Sequence, residues 1–400
     1  MAKSYLRNKN MRASSLMTPA VKSYRPEGTD RLLAAVSPAK IFSGGGIIAA
    51  VLMTVFVIAA CKPSYASWEA GLPGVIFRLP AGAWASGMGG AVSAEPEYML
   101  SWYNPAQLPF LRDRRASAGA GIRPLGRPEA WASYDFRVPP RVGMGLSFVY
   151  RGDPFLNGLY DGYYTGSEVS EEHKLKAAAW TALSLKVGAG YLVSRRWSAG
   201  GSIAVEYQSL PTAPAPDGSI LATTITSIGA LDIAAAYKVT PGLTLSASVK
   251  NLLARNDWTI RSYGDYSPAI EEVVPPVFTL SSTHKAKLLD KELVWGADAE
   301  VYLIDGNGEY LGNPQVLIAA GAKWMFTDDI VLRAGLADIG LSGDIVWDRS
   351  GYWGAFSPRL TAGFSYSLSK WMKGAFVNYA LMTDRVWAGV DQQFDITVSF

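Results

Sequence analysis

The last ten residues of the chain, Asp391 to Phe400, alternate between two kinds of side chain. Phe394, Ile396, Val398 and Phe400 fall on one face of an extended strand, and the polar residues between them fall on the other. A soluble strand can alternate in this way, but apolar residues outside, small polar residues inside and a final aromatic are typical of the last strand of an outer-membrane barrel. The pattern predicts a protein that crosses a membrane with strands. It also makes Phe400 a candidate insertion signal for the barrel-assembly machinery.

The first 66 residues have the organisation of an export leader. Eight basic and two acidic residues precede position 41, and the run 41–60 is uncharged. A basic segment followed by an apolar one predicts a secretory signal, whose true start lies at Met1 or downstream, for example at Met11 or Met17. Cleavage after Ala66 is the main expectation. Acylation of Cys61 in a lipoprotein-like box and an uncleaved anchor are the alternatives, and all three send the rest of the chain out of the cytoplasm.

Removal of the leader changes the charge balance of the chain. The remaining residues contain 28 lysines and arginines against 32 aspartates and glutamates, so the basic character belongs to the leader. No basic face for nucleic acid is visible in what remains. Because Cys61 is the only cysteine, the mature chain has neither disulfides nor a cysteine metal site. About 330 residues are left, and no Pro/Ser-rich linker divides them, which suits one large β-domain.

Period-two patterning continues along the chain from Arg115 onward. Segments of about ten residues, the length of a tilted membrane strand, recur fourteen times. They are 115–123, 129–136, 142–151, 178–190, 197–209, 225–238, 242–252, 274–286, 291–303, 315–326, 329–338, 357–368, 371–382 and 390–400. We interpret this series as an all-β fold, a fourteen-stranded antiparallel transmembrane β-barrel over residues 113–400.

The connections between these segments favour a barrel over a soluble sandwich. The links after the even-numbered strands are tight, whereas those after the odd-numbered strands are mostly long. The long ones include Gly152–Ala177, Pro211–Thr224, Leu253–Val273, Asp305–Pro314 and Ile339–Phe356. Short periplasmic turns that alternate with long external loops are typical of outer-membrane barrels, and a sandwich has no reason to sort its loops by length. Aromatic residues near strand ends, such as Trp197, Trp295, Trp324, Trp371 and Tyr379, suit interfacial girdles.

The segment before the first strand carries two motifs rather than a strand pattern. Gly87-Met88-Gly89-Gly90-Ala91 is followed by an acidic stretch and then by Trp102-Tyr103-Asn104-Pro105-Ala106. In this order the motifs resemble the N-terminal segment of the FadL-like outer-membrane superfamily, which includes long-chain fatty-acid transporters, PorV-type secretion components and the UPF0164 group. The match is strongest to the UPF0164 group. The chain departs from its pattern at Glu95-Pro96-Glu97, where the family more often has two aspartates, so a role that depends on that acidic pair does not carry over.

The resemblance implies a fourteen-stranded barrel whose N-terminal segment, residues 67–112 here, plugs the lumen as a hatch. It also implies that a shift of the hatch accompanies ligand passage. The residues themselves support a compact plug, because Gly87, Gly89 and Gly90 permit positive φ and a close approach to the wall. Pro105 restricts Asn104 to extended geometry, and the Asn104 side chain can cap a local turn. The motif is therefore either architectural or part of a gate.

Charged residues on strands form a second group of candidates. A charge that faces lipid at mid-depth costs about 2–4 kcal/mol, so it should face the lumen instead. The residues on the polar phase of their strands are Glu206, Lys250, Asp298, Glu300, Lys323 and Asp395. They form either a mutually paired network or a site for a ligand headgroup, in which Lys250 or Lys323 would hold a carboxylate. Loop aromatics would collect hydrophobic ligands or pack the loops, namely Tyr160, Tyr163, Tyr164, Trp347, Tyr352 and Trp353.

Signals for catalysis or metal binding are weak. His173 and His284 are the only histidines, and neither has a second ligand at metal spacing. Ser282 and His284 share a strand face, as in a barrel-embedded lipase, but no orienting third residue can be placed. Asp305 to Glu309 resembles the start of a calcium loop and is more simply an external turn. We expect no catalytic residues, no metal and no cofactor.

Two functions from different classes follow. The first is an outer-membrane channel for hydrophobic molecules such as long-chain fatty acids, with passive uptake gated by the hatch. The second is a PorV-like outer-membrane scaffold that transports nothing and holds secreted proteins at the surface. The expected partners are outer-membrane lipid, a hydrophobic small-molecule ligand and the barrel-assembly machinery, with no nucleic acid. A continuous apolar passage to the hatch would favour the channel.

Overall fold

A computed structural model describes the folded part of the chain. It covers residues 77, 79–123, 126–153, 180–214, 220–261, 270–304, 310–340, 358–383 and 390–400. The leader predicted at residues 1–66, His173, the loop 305–309 and the six loop aromatics lie outside the described residues. The boundaries of the leader and the hatch therefore stay predictions.

The described residues form two short α-helices, one 3-10 helix and sixteen strands. The helical elements are α1 (Ala83–Gly87), α2 (Leu100–Tyr103) and the 3-10 helix (Pro105–Phe110). The strands are β1 (Arg115–Arg123), β2 (Arg127–Val138), β3 (Val142–Asp153), β4 (Trp180–Leu192), β5 (Trp197–Pro214), β6 (Ile220–Thr240), β7 (Leu243–Leu252), β8 (Arg255–Arg261), β9 (Ile270–Val273), β10 (Val277–Leu288), β11 (Lys291–Ile304), β12 (Tyr310–Met325), β13 (Ile330–Gly340), β14 (Arg359–Ser367), β15 (Ala375–Thr383) and β16 (Val390–Ser399). No helix within these described ranges is long and apolar enough to cross a bilayer.

Fourteen of the strands close into an antiparallel barrel, which confirms the fold class predicted from the sequence. Neighbouring strands pair in chain order, except that β7 pairs with β10, and the first and last strands meet at a seam. At the seam Arg115 lies opposite Ser399 and Gly121 lies opposite Gln393. Phe400 and Arg114 exchange two backbone hydrogen bonds of 3.0 and 3.1 Å. Closure pairs every barrel strand on both sides and so removes the free edges of the sheet.

The barrel wall separates an apolar outer surface from a polar lumen. In β16, Phe394 and Ile396 are 47% and 43% exposed, whereas Gln393 and Asp395 are 1% and 0% exposed. Large apolar side chains on the outer surface of other strands include Leu146, Phe148, Leu185, Val187, Ile203, Val205, Ile233, Leu245, Leu280 and Leu360. An apolar outer surface on strands around the barrel is unfavourable in water and suits the hydrocarbon core of a bilayer.

Two predicted loops are in fact largely strand. Pro211–Thr224 was expected to be a long loop, but β5 continues to Pro214 and β6 begins at Ile220. Leu253–Val273 contains β8 and β9, which extend the sheet from β6 beyond the barrel. A strand needs about ten residues to cross a bilayer, so β5 with 18 residues and β6 with 21 project past it. The projecting part needs no lipid-facing apolar side, which is why period-two patterning missed it.

The turn between β14 and β15 is longer than the sequence predicts. The thirteenth segment was placed at 371–382, but β15 begins at Ala375. The backbone N–H groups of Trp371 and Met372 both bond to the carbonyl of Leu368 at 2.8 Å, and Gly374 has a φ of 75°. Trp371 and Met372 are exposed at this end of the barrel. They extend an apolar pattern in the sequence without being part of a strand.

Residues 79–111 lie inside the barrel, and we call them the hatch. Helix α1 packs against β13 to β16, and the 3-10 helix packs against β2 to β6. We call the end of the barrel that carries the short turns and Phe400 the short-turn end, and the opposite end the long-loop end. The hatch spans the lumen between them.

Candidate functional site

The last strand of the barrel holds the start of the hatch. The buried carboxylate of Asp395 accepts a hydrogen bond of 2.7 Å from the N–H of Ala83 and another from the hydroxyl of Tyr98. The hydroxyl of Ser86 donates to Oε1 of Gln393 at 2.7 Å. Buried polar groups need such partners, because an unsatisfied one costs about 1–3 kcal/mol. The lumenal phase predicted for the C-terminal strand is therefore the surface on which the hatch is held.

A buried ion cluster holds the first described residues of the hatch. The carboxylate of Glu129 lies 2.7 Å from the guanidinium of Arg123 and 3.3 Å from that of Arg151. Nη2 of Arg151 also donates to the carbonyls of Leu79 at 2.7 Å and Pro80 at 3.3 Å. Buried ion pairs are stable only where further hydrogen bonds satisfy the remaining donors and acceptors. Here the backbone of the hatch supplies the acceptors.

The Asn-Pro-Ala motif forms the predicted turn. Asn104 is extended, with φ −160° and ψ 96°, and its side-chain oxygen accepts a 3.0 Å hydrogen bond from the N–H of Ala106. Its Nδ2 donates to the carbonyl of Ser93 at 2.7 Å. Pro105 occupies the first position of the 3-10 helix, where a missing N–H is tolerated. The motif thus joins the two halves of the hatch to each other, which agrees with an architectural role. A role of the motif in gating stays a prediction.

The glycines of the first motif play different parts. Gly89 and Gly90 have φ values of 67° and 85°, as a tight glycine turn requires. Gly87 does not have the positive φ that the sequence allows, because it is the last residue of α1. A Cβ on Gly87 would instead lie 3.4 Å from the Cα of Gly363, so its small size permits close packing on the wall.

Met88 packs its backbone directly on the barrel wall. A Cβ on Gly321 would lie 2.2 Å from the carbonyl oxygen of Met88, and one on Gly335 would lie 2.5 Å from its carbonyl carbon. Real Cβ atoms do not approach backbone so closely, so only glycine fits at these strand positions. The glycine-rich motif of the hatch and glycines of β12 and β13 therefore form one contact.

A second contact of this kind holds the 3-10 helix. A Cβ on Gly143 would lie 2.2 Å from the carbonyl carbon of Leu108, and one on Gly190 would lie 2.4 Å from the carbonyl oxygen of Pro105. One on Gly200 would lie 2.5 Å from the carbonyl carbon of Pro105. We call Gly143, Gly190 and Gly200 the glycine socket. The contact seats the hatch on β3, β4 and β5 by backbone shape, without requiring any particular side chain of the hatch.

The acidic stretch of the hatch is joined to three strands by ion pairs. Glu95 lies 2.5 Å from Nζ of Lys285, and Glu97 lies 2.7 Å from Nζ of Lys323 and 2.9 Å from Nη2 of Arg333. We call these three contacts the carboxylate latch. Burial alone would raise the pKa of Glu97, but Arg333 and Lys323 outweigh burial and hold its pKa well below the usual range.

A cavity lies between the hatch and the long-loop end, and we call it the outer cavity. Its volume is about 110 Å³. Its apolar lining comes from Phe77, Trp102, Tyr103, Val277, Tyr302 and Leu317. The charged residues on it are Lys186, Glu206, Lys250, Asp298, Glu300, Asp338 and Arg359. Trp102 from the second motif faces this cavity with Nζ of Lys186 4.9 Å from its ring centroid, within the range of a cation–π contact.

A second cavity lies between the hatch and the short-turn end, and we call it the inner cavity. Its volume is about 230 Å³. The hatch lines it with Glu95, Pro96, Glu97, Leu100, Gln107, Phe110 and Leu111, and the wall with Arg115, Lys238, Lys285, Val294 and Lys323. The hatch thus contributes opposite faces to two cavities.

The candidate lumenal charges all face the interior but do not form one site. Lys250 lies 3.7 Å from Glu300 at the outer cavity, and Glu206 lines the same cavity. Asp298 accepts hydrogen bonds from the N–H groups of Val92 and Ser93 at 3.2 and 2.9 Å. Lys323 lies on the other side of the hatch, in the carboxylate latch. The two cations proposed to hold a ligand carboxylate are therefore separated by the hatch.

Ser282 and His284 lie on the outer face of the wall. The His284 ring lies 5.4 Å from that of Trp295, which is exposed, and Ser282 lies opposite the exposed Leu245. This face is the one directed to lipid, away from both cavities. Within the ranges that the structure covers, no group of three His, Cys, Asp or Glu side chains could hold a metal ion.

Comparison with solved structures shows what the fold is similar to. A FadL homologue from Pseudomonas aeruginosa matches with a TM-score of 0.50 and 13% identity, over 80% of this chain and 98% of that chain. The toluene transporter TbuX from Ralstonia pickettii matches with a TM-score of 0.48 and 15% identity over 80% and 98%. The toluene transporter TodX from Pseudomonas putida matches with a TM-score of 0.46 and 14% identity over 80% and 97%.

These comparisons concern the fold alone. At 13% identity, the likeness to the FadL homologue supports the barrel that the sequence predicts, and it carries no residue-level role. No family model matches the sequence, and a search of curated proteins finds no match. The UPF0164 and PorV parts of the sequence resemblance therefore stay predictions.

Sequence reasoning missed the glycine socket and the carboxylate latch. Gly143 lies between Val142 and Met144, on the polar phase of its strand, and small residues at lumenal positions are a visible signal. What the sequence lacks is the position of the hatch, which decides whether a lumenal glycine is a contact or merely a small residue. Glu95 and Lys285 are 190 residues apart, so no local pattern relates them.

Proposed function

We propose that the chain is an outer-membrane channel that carries hydrophobic molecules, long-chain fatty acids among them, past a hatch that gates the lumen. The observation that carries the proposal is the hatch itself, which lies across a closed barrel and lines a cavity on each of its faces. A barrel that only anchored something in the membrane would need no cavity on both sides of a plug. The apolar outer surface supports placement in a membrane, and the export leader predicted from the sequence supports the outer one.

The lining of the outer cavity supports a ligand with an apolar body. Trp102, Tyr302 and Leu317 come from the hatch and from two strands and meet at one cavity. Burial of apolar surface supplies about 25 cal/mol per Å², which is enough to collect such molecules from water without a charged site. The volume of about 110 Å³ approaches that of engineered cavities that hold benzene, so one ring or a short part of an acyl chain fills it.

The scaffold function is favoured by one specific observation. The hatch is seated by backbone contact on Gly143 and Gly321 and by ion pairs to Lys285 and Lys323, so a considerable set of contacts must break before it moves. A PorV-like scaffold needs such a permanent plug, and a channel needs one that can be released.

Uptake by a host that lacks its own fatty-acid channel distinguishes the two functions. The channel proposal expects faster entry of labelled long-chain fatty acids and of toluene when the protein is present, and better binding of long than of short acids to the purified barrel. Equal uptake with and without the protein would reject transport and leave the scaffold. A cross-link that fixes the hatch to the wall serves as the closed control, from cysteines introduced at Ser101 and Ser147, whose hydroxyl oxygens lie 2.6 Å apart, in a Cys61→Ser background.

A further inference from the structure

The inner cavity has an excess of positive charge. Its lining contains four cationic side chains, Arg115, Lys238, Lys285 and Lys323, against two carboxylates, Glu95 and Glu97. Arg333 adds a further positive charge to the surroundings of Glu97, at 2.9 Å. The two carboxylates of the latch are therefore too few to neutralise the cations that face this space.

Lys238 is a cation of this cavity that takes no part in the carboxylate latch. Its Nζ lies 4.0 Å from the ring centroid of Phe110, and no carboxylate of the described residues pairs with it. The contact with Phe110 is a cation–π interaction, which stabilises the ammonium group but does not neutralise it. A half-buried ammonium group beside an open volume attracts an anion more strongly than an exposed one, because less water screens it.

The remaining lining suits an anion that carries an apolar part. Leu100, Phe110, Leu111 and Val294 add apolar side chains to this lining, beside its lysines. The volume of about 230 Å³ is many times the roughly 10–15 Å³ that a cavity needs to hold one water molecule, so a small organic molecule fits. Carboxylates already occupy Lys285 and Lys323 at 2.5 and 2.7 Å, which shows that this chemistry is accommodated there.

We propose that the inner cavity is a binding site for the carboxylate of a short or partly inserted amphiphile, with Lys238 as its main cation and Lys285 and Lys323 beside it. The identity of the ligand rests on the proposed function, since it would be a molecule that has passed the hatch. The site itself does not require transport. An incoming carboxylate competes with Glu95 for Lys285, so the hatch carries an internal competitor for its own ligand.

The test is calorimetry on the full mature protein in nanodiscs, with octanoate and octanol as probes and empty nanodiscs as the blank. Octanoate should bind more tightly than octanol, which has the same chain without the charge. Lys238→Met keeps most of the side chain and should weaken octanoate binding about tenfold or more, because hydrogen bonds to charged groups contribute that much. It should leave octanol binding unchanged. Lys287→Met, an exposed lysine of β10 outside the cavity, is the matched control and should change neither.

A variant that should tighten octanoate binding, where Lys238→Met weakens it, separates a role in ligand binding from a merely structural role. Glu95→Gln removes the competitor and should tighten octanoate binding, whereas loss of a merely structural ion pair would weaken binding or leave it unchanged. Inorganic phosphate distinguishes a carboxylate amphiphile from any compact oxyanion. Equal binding of octanoate and octanol, unchanged octanoate binding in Lys238→Met, or phosphate binding as tight as that of octanoate would each overturn the proposal.

The failure of this inference differs from the failure of the proposed function. Uptake of toluene, which has no charge, together with octanoate that binds no better than octanol would overturn the carboxylate site alone. Octanoate binding that depends on Lys238, in a protein that speeds the uptake of neither toluene nor fatty acids, would support the site and reject the channel.

Discussion

The glycine socket gives the sharpest prediction, because two neighbouring glycines of β5 face opposite sides of the wall. Gly200 faces the hatch, whereas Gly201 lies on the outer phase with Ile203 and Val205. Replacement of either by alanine adds one methyl group to the same strand. The pair thus separates an effect on the hatch from an effect on the strand.

The magnitude follows from the contacts that the new methyl group would make. At Gly200 it would lie 2.5 to 2.6 Å from three backbone atoms of Pro105 and Ala106, about 1 Å inside the optimal carbon contact distance. Backbone of a short helix cannot rotate aside as a side chain can, so the hatch must shift, at a cost of about 1–3 kcal/mol. At Gly201 the nearest atom is the backbone oxygen of Asp232, 3.2 Å away, which belongs to the neighbouring strand and not to the hatch, so any adjustment there leaves the seating of the hatch unchanged.

Limited chymotrypsin digestion measures the release of the hatch. Trp84, Tyr98, Trp102 and Tyr103 are all buried when the hatch is seated, so cleavage after them requires its release. If release and return are faster than cleavage, the cleavage rate follows the released population. A cost of 1–3 kcal/mol then raises cleavage about 5-fold to 150-fold in Gly200→Ala.

Mass spectrometry of the hatch peptides distinguishes these cuts from cuts in loops, and heat-modifiable migration shows whether the barrel stays folded. Gly201→Ala should digest like the unaltered protein. Equal hatch cleavage in Gly200→Ala and Gly201→Ala, with both barrels folded, would show that the hatch is not seated by backbone shape.

Four further predictions concern other contacts of the hatch and the seam of the barrel. Asp395→Ala leaves the buried donors of Ala83 and Tyr98 without an acceptor and should lower the unfolding free energy by about 3 kcal/mol in a denaturant titration; a loss under 1 kcal/mol would contradict the buried anchor. The pKa of Glu97 is lowered in the folded state. The stability that the ionised Glu97 gives to the folded state is therefore complete above the unfolded-state pKa of about 4.3, and it is lost only as the pH falls through the lower folded pKa. Hatch digestion by a protease that stays active from neutral to mildly acidic pH, such as proteinase K, corrected for its own pH profile, should thus show no opening between pH 7 and 5, and Glu97→Gln should open the hatch at pH 7. Deletion of Phe400 removes two backbone hydrogen bonds at the seam and the aromatic side chain that follows β16, and should reduce folded protein in the outer membrane; unchanged yield and migration would argue against a role in insertion. Replacement of Asn104 and Pro105 by alanine should alter fatty-acid uptake while the barrel still folds, and unaltered uptake would make the motif architectural only.

Much of the wall could be predicted from the sequence, because lipid on one side and the lumen on the other impose alternation on every barrel strand. Val142 to Tyr150 shows this directly. The hairpin of β8 and β9 could not be predicted, since residues that project beyond the bilayer have no lipid-facing side to reveal them. The start of β15 was predicted too early, at Trp371, for the opposite reason: an interfacial aromatic residue extends the apolar pattern past the end of a strand.

The interior was less predictable than the wall. The conformation of Asn104 followed from Pro105 beside it, since that restriction is local. The contacts that hold the hatch join residues far apart in the chain, such as Ala83 and Asp395, which are separated by 312 positions. The position of a residue on the polar phase of its strand shows that it faces the lumen, but it does not show which residues it contacts there.

The seam between β1 and β16 has a consequence for the order of events during biogenesis. The hatch directly precedes β1, while two of its anchors, Gln393 and Asp395, belong to β16, the last strand of the barrel. The hatch therefore cannot be fastened to these anchors until all the barrel strands have been synthesised. Once β16 pairs with β1, the lumen is closed around it, and a hatch left outside would have to enter through an end of the barrel. Packing of the hatch and closure of the wall are thus parts of one final step, in which the last strand of the barrel encloses the segment that precedes the first.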